Sequence, residues 1–98
     1  MPPKSATATV KPVRRRVGQT GFLFVRIDDD KSSRSRVDIT FRSAGRQVGR
    51  AFRSIPTNRW VKFRLRAQTK RASSSICVQA TDKTKKQSNR ACAHDVVR

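Results

Sequence analysis

Glutamate and tyrosine are absent from this 98-residue chain, histidine occurs once, and there are two cysteines. Six aspartates form the whole acidic complement, which leaves little material for paired-carboxylate acid–base chemistry. The lone His94 has Cys92 two residues away, but Asp95 would point to the other side of a strand and could not orient it, so catalysis is not expected. The longest apolar run, Phe22-Leu23-Phe24-Val25, is far too short for a membrane-spanning helix. The first residues hold no continuous apolar segment of the kind a secretory signal needs, so an intracellular chain with no membrane partner and no cofactor is expected. Hydrophobic residues make up only 35%, enough for one modest core at this length.

What is abundant is positive charge: 24 Lys+Arg give a formal net +18. Residues 1–20 contribute Lys4, Lys11, Arg14, Arg15 and Arg16 with no acid. Residues 21–98 hold 19 of the basic groups and all six acids, a net +13. A small domain so charged repels itself and favours states with bound counter-charge. Arginine outnumbers lysine 16 to 8, and its planar fork suits phosphate contact. From composition alone, the expected partner is the phosphate backbone of RNA or DNA, bound with counterion release.

Residues 1–20 read as a flexible basic arm. Pro2, Pro3 and Pro12 interrupt any helix, including that of a mitochondrial transit peptide, and no apolar period appears. Residues 21–98 read as a single β domain. Arg36–Arg42 alternates, with Val37, Ile39 and Phe41 on one face. Residues 59–67 do the same with Val61, Phe63 and Leu65 inward. Residues 75–81 place Ile76, Val78 and Ala80 together, 21–27 is apolar on both faces, and 91–97 is a weaker last strand. Turn signals fall at Ala44-Gly45, Pro56-Thr57-Asn58 and 82–89. Residues 47–55 fit helix or strand. Phe41-Arg42, Phe52-Arg53 and Phe63-Arg64 recur every eleven residues, which favours three meander strands with Phe inward and Arg outward. The fold class expected is all-β, a small antiparallel sandwich or barrel of five or six strands.

Trp60, Lys62, Arg64 and Arg66 would project from one side of one strand, with Arg42 and Arg53 extending the patch onto neighbouring strands. Cations around one aromatic can neutralise phosphates while the ring stacks on a base, and Trp60 can equally be core or rim packing. The arm cluster Lys11, Arg14, Arg15 and Arg16 and the loop cations Lys83, Lys85 and Lys86 complete the candidate nucleic-acid contacts. Cys77 and Cys92 would face each other in a hairpin centred between residues 84 and 85. A disulfide is geometrically possible there, but reduced thiols are the default expected of an intracellular chain. Neither the Cys77, Cys92, His94 and Asp95 set nor Asp28-Asp29-Asp30 has the ligand spacing of a metal site.

A basic arm before a β domain is similar in layout to small viral coat proteins and to ribosomal proteins. The function expected is therefore a non-enzymatic, sequence-nonspecific nucleic-acid-binding protein of a nucleoprotein assembly, a viral capsid or packaging protein first and a ribosomal protein second. Protein–protein cement in such an assembly, among other protein subunits, is a further reading. So is a secreted cationic protein that binds glycans or membranes, which would require the Cys77–Cys92 bond.

Overall fold

The computed structural model describes residues 6–30, 32–81 and 85–98. Eight strands follow one another: β1 (Thr7–Val10), β2 (Val13–Arg15), β3 (Gly21–Asp28), β4 (Arg34–Ser43), β5 (Arg46–Pro56), β6 (Trp60–Leu65), β7 (Ala72–Thr81) and β8 (Ala91–Val97). They form a sandwich, with a three-stranded sheet in the order β1-β3-β6 facing a five-stranded sheet in the order β2-β8-β7-β4-β5. All pairings are antiparallel except β2 with β8.

Period-two alternation decides which side chains enter the core. Leu23, Val25 and Ile27 of β3, Val37 and Ile39 of β4, and Ile76, Val78 and Ala80 of β7 are buried in one cluster, with Phe41, Val61, Phe63 and Leu65 packed around it. Full burial of each such Val, Leu or Ile stabilises by about 1.5–3 kcal/mol.

Two sequence expectations need correction. Residues 6–20 are not the free basic arm expected, because 7–10 and 13–15 are strands of the sandwich. Ala6, Ala8, Val13 and Arg15 are buried. Pro12 lies between the two strands and has no N–H for either ladder. There the chain leaves the three-stranded sheet, where the Lys11 N–H still donates to the Phe24 carbonyl at 3.0 Å. It then joins β8 of the other sheet, with Val13 in register with Asp95. Asn89 ties this edge down: its side-chain amide accepts from the Ala8 N–H and donates to the Ala8 carbonyl.

The second correction concerns the eleven-residue spacing. Residues 47–55 are strand, as the spacing favours, but Phe52 points outward. The β4–β5 hairpin turns on Ala44 and Gly45, both at positive φ (52° and 77°), and starts with Ser43 opposite Arg46. A shift between Phe41 and Arg42 then leaves Val48 without a cross-strand partner, so Phe41 faces Gly49 and Val37 faces Arg53. Without that bulge Val37 would face Phe52. One extra residue therefore reverses which face every later β5 side chain occupies. Nor does the meander continue into β6. Residues 57–59 cross to the other sheet, and Asn58 holds the corner at φ 61° by donating to the Asp29 carbonyl and accepting the Asp29 N–H.

Candidate interaction face on the three-stranded sheet

Because Leu23, Val25 and Ile27 point inward, the intervening Phe22, Phe24 and Arg26 of β3 must point outward. The β3–β6 register sets Arg26 beside Trp60, Phe24 beside Lys62, and Phe22 beside Arg64. The result is a sheet face of three aromatic rings interleaved with cations. Phe22 is 41% exposed and Trp60 is 38% exposed. Lys11 reaches across from just past the end of β1, placing its Nζ 4.4 Å from the Trp60 ring centre and 5.7 Å from that of Phe24. The Lys62 Nζ lies 4.7 Å from the Phe22 ring. At exposed sites each such contact is worth about 0.5–1 kcal/mol. The ring quadrupoles thus hold the two ammonium groups over the surface, which lowers the entropy a partner must remove to use them. Asp28, the acid on this face, is engaged by Arg26, whose Nε donates to its Oδ1 at 2.8 Å.

Trp60, Lys62 and Arg64 do share one side of β6, and Lys11 joins them. Arg66 lies just past the strand, where its carbonyl accepts from the Arg15 guanidinium. Arg42 and Arg53 do not extend this patch; they belong to β4 and β5 of the opposite sheet. Arg14 and Arg16 are exposed, whereas Arg15 is buried against Asp95 and is unavailable to any partner. Lys85 and Lys86 are exposed in the β7–β8 connection, and Lys83 lies outside the described residues. The sequence reading missed Phe22 and Phe24. The signal was the run 21–27, apolar on both faces, which a strand with only one buried face has to expose.

On the opposite sheet Phe52 lies between Arg36 and Arg50, 4.6 and 4.7 Å from its ring centre. Arg50 also donates two bonds to Asp38, Nε to Oδ1 at 3.1 Å and Nη2 to Oδ2 at 2.7 Å. That hydrogen-bonded guanidinium holds the Asp38 carboxyl below its ordinary range, against the opposing effect of burial, and raises Arg50. Cys77 and Cys92 are directly opposed on β7 and β8 and are joined by a disulfide. His94 is exposed on this outer face, while Asp95 is buried on the other side of β8. Among the described residues no group of three or more His, Cys, Asp or Glu could hold a metal ion, and no helix is long and apolar enough to cross a membrane.

A β-sandwich with three strands facing five, the first segment divided between both sheets, defines an immunoglobulin-like class of small β domain. Solved structures agree with that class. The chain is similar to the CARDB domain of a Pyrococcus furiosus protein solved in complex with di-metal ions, at 13% identity over 95% of this chain and 92% of that one, with a TM-score of 0.63. It is similar to the PKD domain of an M14-like peptidase from a Thermoplasmatales archaeon (14% identity, 94% and 91% covered, TM-score 0.59). It is also similar to fibronectin(III)-like modules of Clostridium thermocellum CbhA (19% identity, 94% and 96% covered, TM-score 0.55). No family model matches the chain, and neither does the sequence of any curated protein.

These likenesses overturn the expected nucleic-acid-binding capsid, packaging or ribosomal protein. The structural neighbours are CARDB, PKD and fibronectin-type domains. The supposed arm, the main structural reason for the capsid reading, is built into the sandwich as β1 and β2. Net charge reports a taste for anionic partners but does not specify nucleic acid.

Proposed function

We propose that the chain is a non-catalytic interaction module whose three-stranded sheet docks the acidic surface of a partner protein. One observation carries this reading: three outward rings share a sheet face with Lys11, Arg26, Lys62 and Arg64, and the acid beside them, Asp28, is already paired. Clustered aromatics and arginines are the side chains that dominate protein–protein binding energy. Exposed rings gathered on one face mark an interaction site more often than scattered apolar residues do. Two further facts support a module in an oxidising compartment. The Cys77–Cys92 disulfide suits secreted or surface proteins. Each of the three similar structures is also a domain or module of a protein.

Trp60 is the only tryptophan, so its fluorescence reports on this face directly. Titration with polyglutamate, as a probe of acidic polypeptide, is expected to give a saturable change in Trp60 emission that weakens with salt. Lys62→Ala and Arg64→Ala should each weaken it, while Arg14→Ala on the other sheet should not. A flat titration, or a response as strong in the Lys62→Ala/Arg64→Ala double variant, would overturn the proposal. So would a tighter response to duplex DNA of equal charge.

A further inference from the structure

The outer face of the five-stranded sheet carries a second feature that this docking face does not use. Asp38, Thr40 and Arg42 of β4, Arg50 of β5, Gln79 of β7 and Arg90 before β8 line a depression of about 270 Å³. Cys77 also lines it, where its bond to Cys92 fixes β8 against β7. We infer that this depression binds a tetrahedral oxyanion, a sulfate or phosphate group carried by a larger ligand.

Three guanidinium groups converge there against one carboxylate. Both oxygens of Asp38 accept from Arg50 through Nε and Nη2, so Asp38 is occupied, while the Arg50 Nη1 donates to no acceptor among the described residues. Arg42 spends Nη2 on the Gly45 carbonyl at 3.0 Å and keeps its other donors uncommitted among the described residues. Arg90 forms no salt bridge among the described residues. Its charge nevertheless reaches Asp38, whose carboxyl is lowered first by Arg50 and further by Arg36 and Arg90. Thr40 adds a hydroxyl at the same depression, and the Gln79 amide, which spends one N–H on the Ser88 carbonyl at 3.0 Å, has a second. Several arginine forks with spare N–H groups and hydroxyl and amide donors beside them form the donor set that an oxyanion with several acceptor oxygens satisfies. The small volume suits the ionic group of a ligand, since whole-ligand pockets run from about 300 to 1,000 Å³.

The disulfide has a positioning role in this site. The β7–β8 pairing ends at Val78–Ala91, and Arg90 is the next residue out. The neighbouring Cys77–Cys92 bond fixes where that arginine enters.

The test is an amide NMR titration of the full chain with sodium sulfate, and separately with sodium phosphate, at constant ionic strength against sodium chloride. Saturable shifts are expected at Thr40, Gln79 and Ala91. Arg42→Gln and Arg90→Gln should each weaken binding roughly tenfold, the scale of losing one charged hydrogen bond. Arg14→Gln removes the same charge elsewhere on this sheet and should leave the affinity unchanged. Saturation with either anion supports the site, and a preference for one tells which group the natural ligand carries. Shifts that grow linearly, spread over all arginine-bearing faces, or respond equally to Arg14→Gln would overturn it. These outcomes are independent of the polyglutamate titration, because Trp60 is on the opposite sheet.

Discussion

Arg15 and Asp95 meet in the interior through two parallel hydrogen bonds, Nε to Oδ1 at 3.2 Å and Nη2 to Oδ2 at 2.9 Å. Their side chains are only 3% and 8% exposed. The remaining Arg15 nitrogen, Nη1, donates to the carbonyls of Gln19 and Arg66. One guanidinium therefore joins β2, the β2–β3 loop, β8 and the segment after β6. Removing one partner would leave the other charge buried and unpaired. Asp95→Ala is thus expected to cost about 3–5 kcal/mol in urea unfolding. Replacing both at once, as Arg15→Met with Asp95→Leu, should recover part of that loss, because an apolar pair needs no desolvation of charge while the Gln19 and Arg66 carbonyls lose the Arg15 donor. An Asp95→Ala cost under 1 kcal/mol would show that water reaches the pair.

Gly21 is small because Arg15 lies on it. A Cβ at this position would come within 2.8 Å of the Arg15 Cδ, and that side chain is held at its far end and cannot swing away. Gly21→Ala should destabilise by about 1–3 kcal/mol, the usual range for overpacking. In an Arg15→Ala background the same change should become favourable by about 0.5 kcal/mol, since glycine in a strand costs backbone entropy. A double-mutant cycle by urea unfolding would measure this coupling.

The Asp38–Arg50 pair gives stability a defined dependence on acid. Arg50 holds the folded-state pKa of Asp38 below the ordinary value of an aspartate. The unfolded chain therefore takes up the proton first as pH falls. The pair's contribution is complete above the unfolded value and disappears as pH drops through the folded one. The gap in Tm between the natural chain and Asp38→Asn should be widest near neutrality and should close as pH falls through the lowered folded-state value. Both side chains are partly exposed, so the gap will be small and will shrink with salt. A gap that widened on acidification would contradict this assignment.

How much of this could be read from the chain depends on where the information lies. The buried faces of β4, β6 and β7 follow strict alternation, so Val37, Ile39, Val61, Phe63, Ile76 and Val78 were legible from the sequence. Strand β3 was ambiguous because its outward side is also apolar, and that ambiguity was the trace of Phe22 and Phe24 on the candidate face. Strands β1 and β2 left no periodic signal. They have four and three residues and are held by Asn89 and Asp95, about eighty residues away. The direction of Phe52 was unreadable for a different reason. It hangs on a bulge at Val48, which is 65% exposed, and neither its residue type nor its spacing marks it. The +18 charge was plain, but charge selects a class of partner and leaves the fold that presents it undetermined.

The Cys77–Cys92 bond closes a separation of 15 residues. In the chain-entropy account, closing a loop of this size stabilises by roughly 3 kcal/mol. Cys77→Ala/Cys92→Ala should lower stability by that order while the other β7–β8 pairs, from Ala72–Val97 to Val78–Ala91, persist. Denaturation of the natural chain with and without reductant should give the same difference, and the double variant should be indifferent to reductant.

The β4–β5 turn offers a gain in stability. Ala44 and Gly45 both adopt positive φ, the requirement of a two-residue type I′ hairpin, where Asn-Gly is the favoured pair. An alanine pays a steric penalty in that region that asparagine largely escapes through local hydrogen bonding. Ala44→Asn should therefore raise stability by about 0.5–1 kcal/mol. At this chain length that corresponds to a rise in Tm of roughly 2–8 °C. Ala44→Val should move it the opposite way, because a β-branched side chain is a genuine outlier at positive φ. Thermal unfolding of the three proteins side by side tests the assignment. If asparagine and valine shift Tm in the same direction, the turn is not of this type.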